Sequence, residues 1–265
     1  MKRFTSLILF CLTLFSWQNN AQEEPCETEI NLSESERQSI IETMQTDFVE
    51  FKNSRAFAPT ITVPIQIHIL RESAGTGGVS EAVVLDELNN QVIPKYASMD
   101  VTFSIVGPTN YIDSDTYYDL TSYGEGDAMS AANNIPNVLN IYFANTTNTG
   151  CGWARFTFNL PVDYIVIRNS CANNTSTFAH EIGHYFDLFH THETVYGDEL
   201  VNGTNCNVAG DLLCDTPADP RLSELVTAAP NCNYIGTGTD SNGASYVPDT
   251  SQIMSYAPKQ CRVNF

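Results

Sequence analysis

"TFAHEIGHYFDLFHTH", Thr177 to His192, holds four of the five histidines of a 265-residue chain: His180, His184, His190 and His192. His180 and His184 are four residues apart, so on a helix they stand on one face and can share one metal ion. Glu181 between them puts a carboxylate within reach of a water on that metal. This H-E-x-x-H pattern marks zinc hydrolases. The plainer reading is a surface helix with two solvated histidines. His190 weighs against it, because a catalytic zinc takes three protein ligands and keeps one position open. His190 follows His184 by six residues, off the helical face, and joins the others only if the chain turns sharply. In the extended pattern H-E-x-x-H-x-x-G-x-x-H a glycine makes that turn. Here Asp187 occupies the glycine position. The turn wants a positive φ, which glycine takes most easily and aspartate is among the few others to tolerate. If the helix instead runs on through Asp187, His190 points away and the three-ligand site is lost. The pattern has no place for His192, which reads as a solvated or capping histidine.

Composition narrows the function classes. The formal charge of −19 argues against nucleic acid and anionic membrane, both of which reward basic patches. Acidic loops leave room for calcium. "MKR", the apolar run Phe4–Trp17 and "QNNAQ" read as a secretory signal over residues 1–21, with Ala21 at the cleavage position. Losing Lys2 and Arg3 with it takes the charge from −19 to −21. No later segment is long and apolar enough to span a bilayer. Export agrees with the cysteines that remain: Cys26, Cys151, Cys171, Cys206, Cys214, Cys232 and Cys261. In an oxidising compartment these are mostly disulfides, and an odd number leaves one over. Cys151 with Cys171 is the preferred pair, since each lies beside a strand in the same region. The last four would staple the C-terminal part, leaving Cys26 unpaired.

Residues 22–58 stand apart. "SESE", Ser33 to Glu36, reads as a capping box, and Ile41, Met44, Phe48 and Phe51 recur at helical spacing. Two readings stay open: a helix packed on the core, or a pro-segment covering an active site. A pro-segment would give Cys26 a sharper role, since its thiolate could fill the open metal position and hold an enzyme latent. The main domain spans 59–265, an upper part at 59–190 and a lower part at 191–265. Thr60–Leu70 alternates as a strand with a structural His68. Val84, Leu88 and Val92 mark a helix up to Pro94. "DVTFSIVG", "NVLNIYFAN", "CGWARF" and "DYIVIRN" read as four more strands. The predicted class is α+β: a mixed twisted sheet, the histidine helix, then a loop-rich part stapled by disulfides.

Met254 stands 64 residues after His190, in "SQIMSYAP", two before Tyr256. Following the extended histidine motif, it resembles the methionine turn of metzincin proteases. "HEIGHYFDLFHTH", "AGDLLCDTPADP" and "IMSYAPKQC", in that order, resemble the pappalysin family of metzincins in its compact bacterial form. The similarity covers roughly residues 60–265. It implies a metzincin-like fold and a secreted zinc endopeptidase acting on proteins or peptides. It further implies that His180, His184 and His190 bind zinc, that Glu181 is the general base and that Met254 floors the site. Tyr256 would help stabilise the tetrahedral intermediate. The family's calcium loop matches Gly210, Asp211, Asp215, Thr216 and Pro217, with Asp211 and Thr216 as ligands. Relatives usually continue beyond the stretch matching "CRVNF" into a final helix. Two other classes remain open: a catalytically inactive binding or adhesion module, and a zinc hydrolase acting on something other than peptides.

Overall fold

The computed structural model describes Cys26, Thr28 and residues 30–53, 60–148, 150–159 and 162–265. The signal segment 1–21 and the side chains of Phe48 and Phe51 lie outside that description. The elements in chain order are α1 (Glu34–Asn53), β1 (Ile61–Arg71), α2 (Glu81–Glu87), a π turn at Leu88–Val92 and α3 (Ile93–Tyr96). Then come β2 (Val101–Ile105), β3 (Asn110–Asp113), α4 (Asp115–Tyr118), β4 (Asp119–Leu120) and α5 (Tyr123–Asn133). Last are β5 (Leu139–Ala144), β6 (Thr146–Thr147), β7 (Gly152–Ala154), β8 (Ile165–Arg168) and α6 (Thr177–Tyr185).

Strand β1 organises the sheet. It pairs in parallel with β2 and β3 along one edge and with β5 along the other. Strand β8 adds in parallel to β5, and β7 closes the order β2-β1-β5-β8-β7 as the one antiparallel member. Parallel strands covered on both faces read as continuous buried runs, and Ile65–Leu70 and Leu139–Ala144 are buried without interruption. Side chains alternate between the two faces. Ile65, Ile67, Ile69, Ile141, Phe143 and Ile167 meet Val84, Leu88, Tyr96, Phe178 and Ile182 of the α2–α3 segment and α6. Leu70, Tyr142 and Val166 turn the other way, with Trp153 and Tyr164, onto Met129 of α5.

Two expectations need correction. The helix after β1 does not stop at Pro94. It passes through a π turn and continues to Tyr96, with Pro94 in the first turn of α3. There the missing N–H costs nothing, and the π turn reseats the hydrogen bonds before it. The four later strands also do not follow one another directly. Between β2 and β5 lie β3, α4, β4 and α5, whose short, polar sequences carry little apolar periodicity.

The capping box at the start of α1 forms as read: Ser33 N donates to Glu36 Oε2 (2.8 Å) and Glu36 N to Ser33 Oγ (3.4 Å). Ile40, Ile41 and Met44 of this helix rest on Phe156, Phe158, Phe189 and Leu212 of the main domain. After α6, 191–265 has no helix or strand, only isolated bridges such as Gln252 with Asn264. Three disulfides join Cys151–Cys171, Cys206–Cys214 and Cys232–Cys261, and Cys26 is free. No helix among the described residues is long and apolar enough to cross a membrane.

Phe178, in the first turn of α6, meets Phe143 of β5 edge-on at 5.5 Å between ring centroids. Phe178→Ala should lower the unfolding free energy by about 3–5 kcal/mol in chemical denaturation. A loss below about 1 kcal/mol would mean that the sheet does not anchor this helix.

Candidate metal centre

Helix α6 is buried from Thr177 to His184, with the sheet above it and the disulfide-stapled loops below. Its start is closed by Asn174, whose Oδ1 accepts from Thr177 N at 3.0 Å. Its end is a left-handed turn. Asp187 has φ 62°, Asp187 N donates to His184 O (2.9 Å) and Leu188 N to Gly183 O (3.0 Å). This pair of bonds around one left-handed residue is the Schellman termination, where glycine is the usual occupant. The turn does two things for the histidines. It sends the chain back so that His190 faces the helix. It also brings Leu188 O to 2.8 Å from His184 Nδ1.

The three imidazoles converge through Nε2. The separations are 3.1 Å for His180–His184, 3.0 Å for His184–His190 and 3.3 Å for His180–His190. Tetrahedral zinc with nitrogen ligands at about 2.05 Å has N···N edges of about 3.3 Å, so the spacing fits the ion. Protonation gives a second test. His180 Nδ1 lies 2.8 Å from Ile253 O, and His184 Nδ1 meets Leu188 O. A carbonyl only accepts, so each Nδ1 carries the proton and each Nε2 presents a lone pair. Burial pushes His184 down to about 4 and holds His180 and His190 well below the ordinary range, so all three are neutral. The Nε2 lone pairs of His180 and His184 facing each other across 3.1 Å repel, and a cation between them removes the repulsion.

Around this centre the structure places the other expected residues. Met254 is buried against Gly183, where an added Cβ would come 2.4 Å from its sulfur, so the methionine turn requires a glycine inside "HEIGH". Glu181 is fully buried, and its Oε2 accepts from Thr28 Oγ1 at 3.3 Å. Cys26 Sγ is 3.5 Å from the same oxygen and forms one group with the three histidine nitrogens, all within 4.8 Å of one another. Without an ion, burial and then Glu181 push the Cys26 thiol well up. Tyr256 donates from its phenol to Cys26 O at 2.9 Å. Gly152, on edge strand β7, bridges in parallel to Cys26, and Ala154 N donates to Thr28 Oγ1 at 3.0 Å. A Cβ at Gly152 would sit 2.5 Å from Val166 O and 3.3 Å from Glu181, so a side chain there would crowd the site.

His192 corrects an expectation: it is half-buried and packed on other rings rather than freely solvated. Its ring stacks on His190 (5.0 Å) and lies 4.4 Å from that of Tyr256, and burial with Arg221 pushes its pKa down to about 3. It stands outside the converging group and lines a cavity of about 320 Å³ with Glu193, Glu199, Asp219 and Arg221. Asp211 and Thr216 meet directly, Thr216 Oγ1 donating to Asp211 Oδ2 at 2.7 Å. Beside Asp211 is Glu199, 7% exposed, with no hydrogen-bond partner at Oε2 among the described residues. Thr28, Gly152 and Gly183 escaped the sequence reading. Gly183 has a signal in its place between two candidate ligands; Thr28 has none, because the partners of its hydroxyl are more than a hundred residues away.

A family model described as pregnancy-associated plasma protein-A, of the M43 peptidases, matches residues 125–261, just over half of the chain. An extracellular metalloprotease of Colletotrichum graminicola is 28% identical over 190 residues, covering 63% of this chain and 61% of its own length. The chain therefore spans about three fifths of that relative. An extracellular metalloprotease of Podospora anserina is 23% identical over 220 residues, 76% of this chain and 71% of its own. Among solved structures, a promirolysin mutant of Tannerella forsythia superposes with a TM-score of 0.57 at 18% identity, covering 91% of this chain and 89% of that one. At that identity the likeness establishes the fold.

The buried carboxyls near Thr216 set a pH dependence. Burial and Asp211 push Glu199 up to about 7, and burial pushes Asp211 up to about 6. Between the unfolded and folded values the folded chain holds more protons, so their contribution to stability falls as pH rises from about 5 to 7.5. With calcium withheld, Glu199→Gln should raise the melting temperature at pH 7.5 and leave it nearly unchanged at pH 5. An equal shift at both pH values would contradict the assignment.

Proposed function

The chain belongs to the pregnancy-associated plasma protein-A (pappalysin) family of M43 metalloendopeptidases, and on that premise we propose that it is secreted and hydrolyses proteins with zinc at His180, His184 and His190. The observation that carries this is the convergence of three neutral imidazoles through Nε2, with the lone pairs of His180 and His184 turned inward, beside a buried glutamate. When bound, zinc supplies a Lewis acid that polarises the scissile carbonyl and lowers the pKa of the attacking water. Glu181 takes the proton from that water and passes it to the leaving amine. Cys26 Sγ, 3.5 Å from Glu181 Oε2, supports this role, since a water in its place would lie within reach of that carboxylate. Burial pushes the Tyr256 phenol up, so it stays protonated and can donate to the developing oxyanion. The substrate lies extended along the open edge of β7, reading main-chain groups such as Ala154 N. Secretion is supported by the extracellular relatives and the three disulfides.

Residues 22–58 act as a pro-segment in this reading. Supporting it, Cys26 and Thr28 together occupy the metal's open side, the general base, the Tyr256 phenol and the β7 edge. A bound metal would hold Cys26 as the thiolate, whatever burial does to the free thiol. The promirolysin mutant, which covers 91% of the chain, is itself named as a pro-form. A calcium ion at Asp211 and Thr216 belongs to the same proposal, supported by the buried carboxylates of Asp211 and Glu199, which suit a hard cation.

The test compares full-length wild type, Cys26→Ala and Cys26→Ala/Glu181→Ala on a denatured protein, with and without a zinc chelator. Cys26→Ala should cleave without processing, and the chelator should abolish its activity. Adding Glu181→Ala should cost at least about a hundredfold. Equal cleavage by the single and double variants would end the hydrolase reading and leave an inactive binding module as the alternative.

A further inference from the structure

We propose that Asp187 and Thr157 form a clasp that holds the β7 edge in register with the zinc-binding turn, which makes Asp187 a positioning residue for peptide hydrolysis. The proposal rests on the reading that β7 receives the substrate. A glycine at 187 would make the same left-handed turn at lower backbone cost. What the aspartate adds is its carboxylate, and both oxygens are used. Oδ1 accepts from Thr157 N at 2.8 Å, and Oδ2 accepts from Thr157 Oγ1.

Thr157 opens a short 3-10 turn three residues beyond the last residue of β7. Its amide is one of the orphan donors that begin any such turn, and an ionised acceptor is a strong partner for it. Between β7 and Thr157 lies Phe156, buried, with its ring 5.5 Å from that of the ligand His184 and 5.3 Å from Phe189. The backbone around Phe156 is pinned on both sides. Upstream, Arg155 N donates to Tyr164 O at 3.0 Å; downstream, Thr157 N reaches Asp187. Asp187 itself stands midway between His184 and His190. One side chain therefore ties the turn that assembles the ligands to the segment leaving the strand that lines the cleft. Asp187 is half-buried and Thr157 exposed, so the clasp stands at the surface and competes with water.

Four variants test the clasp in the zinc-loaded protein: Asp187→Gly, Asp187→Asn, Thr157→Val and the double Asp187→Gly/Thr157→Val. Two readouts are used, steady-state kinetics of the processed enzyme and amide hydrogen exchange of the full chain. Asp187→Gly should keep one zinc per chain and kcat within about twofold, while KM rises about fivefold. Asp187→Asn should restore most of the loss, because its carbonyl still accepts from Thr157 N. Thr157→Val should raise KM less, since the amide bond survives, and the double variant should behave like Asp187→Gly alone. Exchange at the Thr157 amide should quicken at least about tenfold in Asp187→Gly and not in α6. Unchanged KM and exchange would overturn the proposal. So would loss of zinc or of kcat in Asp187→Gly, which would place the carboxylate's role at the metal site rather than at the β7 edge, and so would additive effects in the double variant. A wild type that cleaves no peptide would sink the hydrolase reading and the clasp's catalytic role together. An active wild type with unmoved Thr157 exchange would sink the clasp alone.

Discussion

One left-handed residue governs the rest of the centre. A helix alone can offer His180 and His184 from one face, but it cannot deliver a third ligand six residues on. The Schellman turn at Asp187 ends α6 at the point where continuing would carry His190 away. The same turn supplies Leu188 O, which fixes the tautomer of His184. The number of converging imidazoles and the tautomer of His184 are thus set by one local backbone choice.

The site is held from three directions. From above, the sheet buries α6 through Phe178 and Ile182. From below, the methionine turn supplies Ile253 O to His180 and presses Met254 against Gly183, leaving no room for a Cβ there. From the side, Gly152 lets the edge strand come close to Glu181. Each contact joins residues that are distant in sequence, and those from below and from the side need a small residue or a bare carbonyl at one position. That explains why a domain with so little regular structure after α6 still builds a defined centre: disulfides and main-chain hydrogen bonds order the loops that the hydrophobic core does not reach.

The sequence carried the main strands and the histidine helix because their patterns are local. β1, β5 and β8 are apolar runs, and His180 with His184 sits at helical spacing. The Cys151–Cys171 pairing was also legible, since both cysteines flank strands that proved to be neighbours. What could not be read were features set by tertiary contact. The region between β2 and β5 has no strong periodicity; its β3 exists by pairing with β1, its β4 by pairing with β6, and its α5 by packing on Tyr164. Pro94 signals a stop, but a π turn absorbs it. His192 reads as surface, yet it forms a cluster of three rings with His190 and Tyr256, and Tyr256 arrives only after the chain folds back. Thr28 carries no motif; its place against Glu181 follows from how the N-terminal stretch lies along β7.

The most direct test of the central claim is X-ray absorption at the zinc edge of the full-length protein. A shell of three imidazole nitrogens at about 2.0 Å and one sulfur at about 2.3 Å is the predicted result. Two imidazoles with the remaining positions filled by oxygen would show that the turn at Asp187 does not bring His190 to the metal, and would contradict the account at its root.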